Sequence, residues 1–144
     1  MARLLLNGGF ADGAVFHLYH GYECALSALI AARGYPVPPE GWTQLRSPSG
    51  KTVKAYPSPG GGIQERPAHR ARILFFDELA DHTRPYYANH SRLRRYLTLD
   101  ERMGSLYYDA ARDRTPHERY DSTFAVNVMA EVMEFARQVW DEIR

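Results

Sequence analysis

Disulfide chemistry is the first thing the sequence excludes. Cys24 is its only cysteine and lies inside an apolar helical pattern, so the chain holds no disulfide framework and a reducing, cytoplasmic setting is expected. Cys24 itself reads as a small buried core residue. Long hydrophobic runs are also missing. No stretch approaches the roughly 18 apolar residues of a membrane span, and the opening MARLLLNGGF is too short for a signal-peptide core, so no membrane contact is expected. Net charge is nearly absent at +1. That gives no global field to attract nucleic acid or anionic lipid, and any such contact must come from a local patch. What remains is a chain of 144 residues, 44% hydrophobic and 24% charged, the composition of a globular protein and the length of one domain, 1–144.

The clearest element runs from about Ala14 to Arg33. Val15, Leu18, Tyr19, Tyr22, Ala25, Leu26, Leu29 and Ile30 recur at intervals of three and four and draw one stripe on a helix. Gly34 stands where a helix end favours positive φ, with Arg33 in the last turn and Pro36 just beyond, so three stop signals agree. Upstream, Ala2 to Leu6 offers one apolar turn, but Gly8, Gly9 and Gly13 interrupt its continuity with the long helix. Seven of the nine prolines, with Gly60, Gly61 and Gly62, fall between Gly34 and Pro67. That density excludes a regular helix and predicts a long loop insertion over 34–67, with Thr52 to Tyr56 as its one candidate strand.

Four further helices follow from the apolar spacing. One runs from about Ala68 to Asp81 on Ile73, Leu74, Phe76, Leu79 and Ala80. The next begins at Thr83, with Pro85 in its first turn, and ends near Leu97. Thr98 and Glu101 form a capping box that opens another, striped by Leu99, Met103, Leu106 and Ala110, which ends before Pro116. The last begins at a Ser122 cap and carries Ala125, Val128, Met129, Val132, Phe135, Ala136, Val139 and Ile143 on one broad face. The expected fold class is all-α: an up-and-down bundle of about five helices with a long Pro/Gly-rich loop after the first long one. Adjacent aromatics such as Phe75-Phe76 and Tyr86-Tyr87 are expected to send one ring to the core and one to an edge.

Chemistry concentrates at the junction before the last helix, Arg112-Asp113-Arg114-Thr115-Pro116-His117-Glu118-Arg119-Tyr120. His17, His20 and Cys24 also share a helical face, with Glu23 nearby, but helical spacing brings many such pairs together and the face reads as packing rather than a metal site. His69, Arg70 and Arg72 read as the surface of a helix start.

The long first helix, with its segment Val15-Phe16-His17-Leu18-Tyr19-His20-Gly21-Tyr22-Glu23 and its glycine stop, together with the arginine-rich junction, resembles the HEPN family, the higher eukaryotes and prokaryotes nucleotide-binding domain. The resemblance follows helix order over nearly the whole chain, with 34–67 as an insertion. Many members are ribonucleases that use an Arg, a polar residue directly after it, and a His four to six residues beyond. Arg112, Asp113 and His117 match that pattern. Arg84 and His90 also fall within the four-to-six range, but Pro85 follows Arg84 and the pair falls in a different helix.

The resemblance implies a metal-independent endoribonuclease, a toxin or defence effector, with no cofactor and no metal ligands. The ribose 2′-hydroxyl would attack the adjacent phosphate, His117 exchanging protons, Arg112 stabilising phosphoryl charge and Asp113 orienting one of them. Arg114, Arg119 and Tyr120 are the implied substrate-binding residues. The reaction wants a general base and a general acid while the motif contributes a single histidine per chain, so the resemblance implies a symmetric homodimer, with two junctions across one groove. The second reading is a non-catalytic HEPN module that binds a nucleotide or a partner protein, such as a nucleotidyltransferase or an antitoxin. Pro116, between Arg112 and His117, motivates it.

Overall fold

A computed structural model of the chain describes residues 1–35, 44–46, 49–50, 52–54, 67–98 and 115–144. Among these the fold is all-α apart from one small hairpin. The helices are α1 (Ala2–Asn7), α2 (Ala11–Ala32), α3 (Pro67–Leu79), α4 (Pro85–Tyr96), α5 (Pro116–Arg119) and α6 (Ser122–Ile143). The hairpin pairs β1 (Gln44–Arg46) antiparallel with β2 (Thr52–Lys54), Leu45 opposite Val53, so part of the expected Thr52 to Tyr56 strand forms within the long connection. The expected helix from Thr98 lies outside the described residues beyond Thr98 itself, as does most of the 34–67 segment.

The long first helix is longer at its start than its stripe suggested. Every residue of that stripe is buried. At its far end the Gly34 N–H donates to the Ala31 carbonyl at 2.9 Å and the Tyr35 N–H to the Ile30 carbonyl at 3.2 Å, with Gly34 at φ +80°. This is the paired cap that left-handed glycine allows. Upstream, the apolar turn is a separate helix, α1, packed against α2.

The remaining helices group around α2. It packs against α1, α3 and α6, and α6 also packs against α4. Phe135 and Val139 of α6, Leu26 and Leu29 of α2, Phe76 of α3 and Leu93 of α4 share one core cluster. Burying a side chain such as Phe135, fully enclosed here, contributes roughly 1.5–3 kcal/mol. A smaller cluster of Ala11, Ala14, Val15, Tyr120 and Ala125 joins the start of α2 to the start of α6.

Several sequence expectations change at this level. Cys24 is exposed, because it lies two residues, or about 200° of helix turn, from the buried Tyr22 and Leu26 on either side. Phe75 and Phe76 are both buried: Tyr35, just past α2, lies edge-on to Phe75 at 6.4 Å, while Phe76 meets the core. Arg84, with extended backbone, precedes Pro85 as the N-cap of α4, and Thr83 instead bonds Asp81 through its N–H at 2.9 Å and its hydroxyl at 2.7 Å. Asp121 rather than Ser122 caps α6, its carboxylate accepting the Phe124 N–H at 2.7 Å. Both residue types suit the position, and Asp121 holds the extended backbone that a cap requires.

Two glycines separate conformational from packing effects. Gly34 has nothing within reach of an added Cβ but sits at positive φ, so Gly34→Ala is expected to destabilise by about 1 kcal/mol. At Gly21, inside α2, a Cβ would lie 3.6 Å from Val132, an ordinary contact, so Gly21→Ala is expected to stabilise by about 0.5–1 kcal/mol. Thermal unfolding should move in opposite directions for the two variants, and a shift of the same sign in both would contradict this account.

Candidate functional site

The junction enters the structure at Thr115. Pro116 takes the first helical position of α5, where its missing N–H costs nothing. The Glu118 carboxylate folds back to accept the Thr115 N–H and the Thr115 hydroxyl, each at 2.8 Å. This pins a one-turn helix. His117, on that turn, is exposed. With Glu118 held by Thr115, the imidazole keeps both ring nitrogens open to an incoming group among the described residues.

Arg119 and Tyr120 separate from that role. The Tyr120 ring is only 4% exposed and belongs to the smaller core cluster. Its implied part in substrate binding is therefore corrected to an anchor, since a ring enclosed by Ala11, Ala14 and Val15 has no free face for a base. It fixes the exit of α5 against α2, and the Arg119 guanidinium lies 5.5 Å over it. Arg119, half-buried, remains beside the His117 turn. Arg112, Asp113 and Arg114 lie outside the described residues.

The Arg84–His90 pair, which also falls within the permitted spacing, does something different. Arg84 turns outward to the Glu142 carboxylate of α6 at 2.8 Å, which Arg33 also reaches at 2.9 Å. His90 turns inward and is wholly buried. Its Nε2 lies 2.9 Å from Asp77 Oδ1 and its Nδ1 lies 2.9 Å from the Tyr22 hydroxyl. A carboxylate only accepts, so Nε2–H donates to Asp77, and in the neutral imidazole Nδ1 then accepts from Tyr22. Burial pushes the Tyr22 hydroxyl well above its ordinary range, which keeps it a proton donor. Asp77 also accepts from Arg94 at 3.0 Å and from the Tyr87 hydroxyl at 3.3 Å. Its carboxyl is held low: burial raises it, but the His90 hydrogen bond and the Arg94 charge outweigh burial.

Sequence reasoning missed this network, although a signal was present. Tyr86, His90, Leu93 and Leu97 recur at four, three and four, which puts His90 on the inward stripe of α4. Glu23 and Arg72 form a second inward pair at 3.5 Å, so Arg72 is part of the helix packing rather than an outer helix start. Arg72 Nε is buried without a partner among the described residues. The side chains of His69 and Arg70 lie outside the described residues. His20 lies 3.8 Å from Glu23, and its ring meets Phe16 edge-on at 5.0 Å. No group of three or more His, Cys, Asp or Glu suited to a metal ion occurs among the described residues. No described helix is long and apolar enough to cross a membrane.

A scan against protein-family models, a search of curated proteins and a search of solved structures return no match to this chain.

The Asp77 network predicts an acid sensitivity with a definite sign. The folded carboxyl binds its proton less tightly than the unfolded one, so its stabilisation is complete above the unfolded value of about 3.9 and is lost as pH falls through the lower folded value. Asp77→Asn is expected to be less stable by about 1–3 kcal/mol at pH 7. Its loss of stability on acidification should also be shallower than that of the wild type, as urea unfolding at a series of pH values would show; parallel curves would contradict the assignment.

Proposed function

We propose that the chain is a HEPN-type, metal-independent endoribonuclease, a toxin or defence effector that works as a symmetric homodimer. The observation that carries this reading is His117: an exposed imidazole on a turn fixed by Thr115 and Glu118 at the start of the last long helix. A proton-transfer group needs such a combination of access and fixed position.

In this reading the imidazole of one protomer takes the proton of the ribose 2′-hydroxyl as that oxygen attacks the adjacent phosphorus. The bond from phosphorus to the 5′-oxygen breaks, and a protonated imidazole from the second protomer supplies the leaving oxygen with its proton. The products are a 2′,3′-cyclic phosphate and a 5′-hydroxyl. Arg112 stabilises the charge that grows on the phosphoryl oxygens, Asp113 orients it, and Arg114 and Arg119 hold flanking phosphates.

The second reading is a non-catalytic HEPN module that binds a nucleotide or a protein such as a nucleotidyltransferase or an antitoxin. Two observations favour it: Tyr120 serves the core rather than a substrate groove, and Pro116 starts a new helix directly before His117.

RNA cleavage in the presence of a chelator separates the two. The ribonuclease reading predicts cyclic-phosphate products from the wild type and a loss of about 10²-fold or more in His117→Ala and Arg112→Ala. His117→Ala should unfold at the wild-type temperature, because the side chain is exposed. Cleavage that survives His117→Ala, or that no preparation shows, overturns the reading; a stable partner complex indifferent to both substitutions selects the module.

A further inference from the structure

A groove of about 470 Å³ opens between α4 and α6, within the size range of small-ligand sites. Its aromatic side chains are Tyr96, half exposed, and Phe124, whose ring lies 5.7 Å from that of Tyr120 at the end of α5. The groove therefore begins where the His117 turn ends.

The polar lining is partly committed and partly free. Asn89 is buried; its amide donates to Gln138 at 2.8 Å and its carbonyl accepts from Arg92. Arg92 also donates to Glu131, through Nε at 3.3 Å and Nη2 at 3.2 Å, and both bonds fall on Oε2. Among the described residues this leaves Glu131 Oε1, the Asn127 amide and the Tyr96 hydroxyl without partners. The charges at the groove are paired, Arg92 with Glu131 and Glu134 with Arg137, so among the described lining residues no unpaired cation is left to hold a phosphate. Two aromatic lining residues, a free carboxylate oxygen and a free amide suit a planar ligand that donates N–H groups along one edge and accepts beside them.

We propose that this groove is the seat of a nucleobase, guanine, whose N1–H and amino group donate to Glu131 while its ring stacks on Tyr96 and Asn127 meets its carbonyl. The inference rests on the ribonuclease reading only in making this base part of the nucleotide beside the cleaved phosphate.

Calorimetric titration of the full chain with guanosine, which carries no phosphate, tests it. The expected result is saturable binding, one per chain, not displaced by inorganic phosphate, and weaker by about tenfold in Tyr96→Ala and in Glu131→Gln. Circular dichroism confirms that these exposed-site variants remain folded. No saturation, equal affinity in the groove variants, or displacement by phosphate overturns the proposal. Guanosine binding without RNA cleavage leaves the groove standing and the ribonuclease reading fallen; cleavage without guanosine binding does the reverse.

Discussion

The interaction on which the bundle depends is the burial of one imidazole. His90 of α4 is bonded to Tyr22 of α2 and Asp77 of α3, and its ring also meets Phe76 of α3 at 4.5 Å and Phe135 of α6 at 6.2 Å. One side chain thus touches every long helix described. A polar ring inside an apolar core is costly unless both nitrogens are bonded, and here both are. Sliding or rotating any of these helices would strand a buried donor or acceptor. Apolar contacts alone penalise such movements far less, because methyl groups repack where hydrogen bonds break. Outside this centre, Glu142 draws Arg33 and Arg84 to the end of α6. Those exposed pairs contribute less than the buried network.

Two histidines preceded by an arginine at similar spacing end in opposite environments. Arg84 and His90 lie at the start and middle of one amphipathic helix, so the turn of that helix sends the arginine to solvent and the imidazole to the core. His117 follows a proline that begins a new turn, and the backbone there has no long stripe to bury it. Sequence spacing cannot tell these cases apart; the helical face can. His117 lies just before the start of α6 and the proposed base site runs along the first half of that helix, while Tyr120 packs against Ala125 at its start.

Much of the fold was legible because it follows from periodicity. The stripe from Val15 to Ile30 is buried as its spacing predicts, as is the one from Ala125 to Val139 apart from the half-buried Met129 and Ala136, and Gly34 ends α2 in the conformation its lack of a Cβ permits. Helix starts were less legible. Ser122 and Asp121 are equally good caps by type, and only the backbone angles decide between neighbours. Burial of Phe75 depends on what packs against its face, which one helix's pattern does not contain, whereas the exposure of Cys24 follows from its angle to Tyr22 and Leu26. The candidate site was legible in part. The motif pointed to His117, whereas the role of Tyr120 turned on a contact with α2 more than a hundred positions away, and the polar network of His90 joins residues 68 positions apart.

The most direct test of this account is equilibrium unfolding of His90→Leu, which fills similar volume but makes neither hydrogen bond. The account predicts a loss of about 3 kcal/mol or more, or failure to fold, because the Tyr22 hydroxyl and the Asp77 carboxylate are left without their buried partner. A variant as stable as the wild type, with an unchanged denaturant slope, would show that apolar packing alone sets the bundle and would contradict the account.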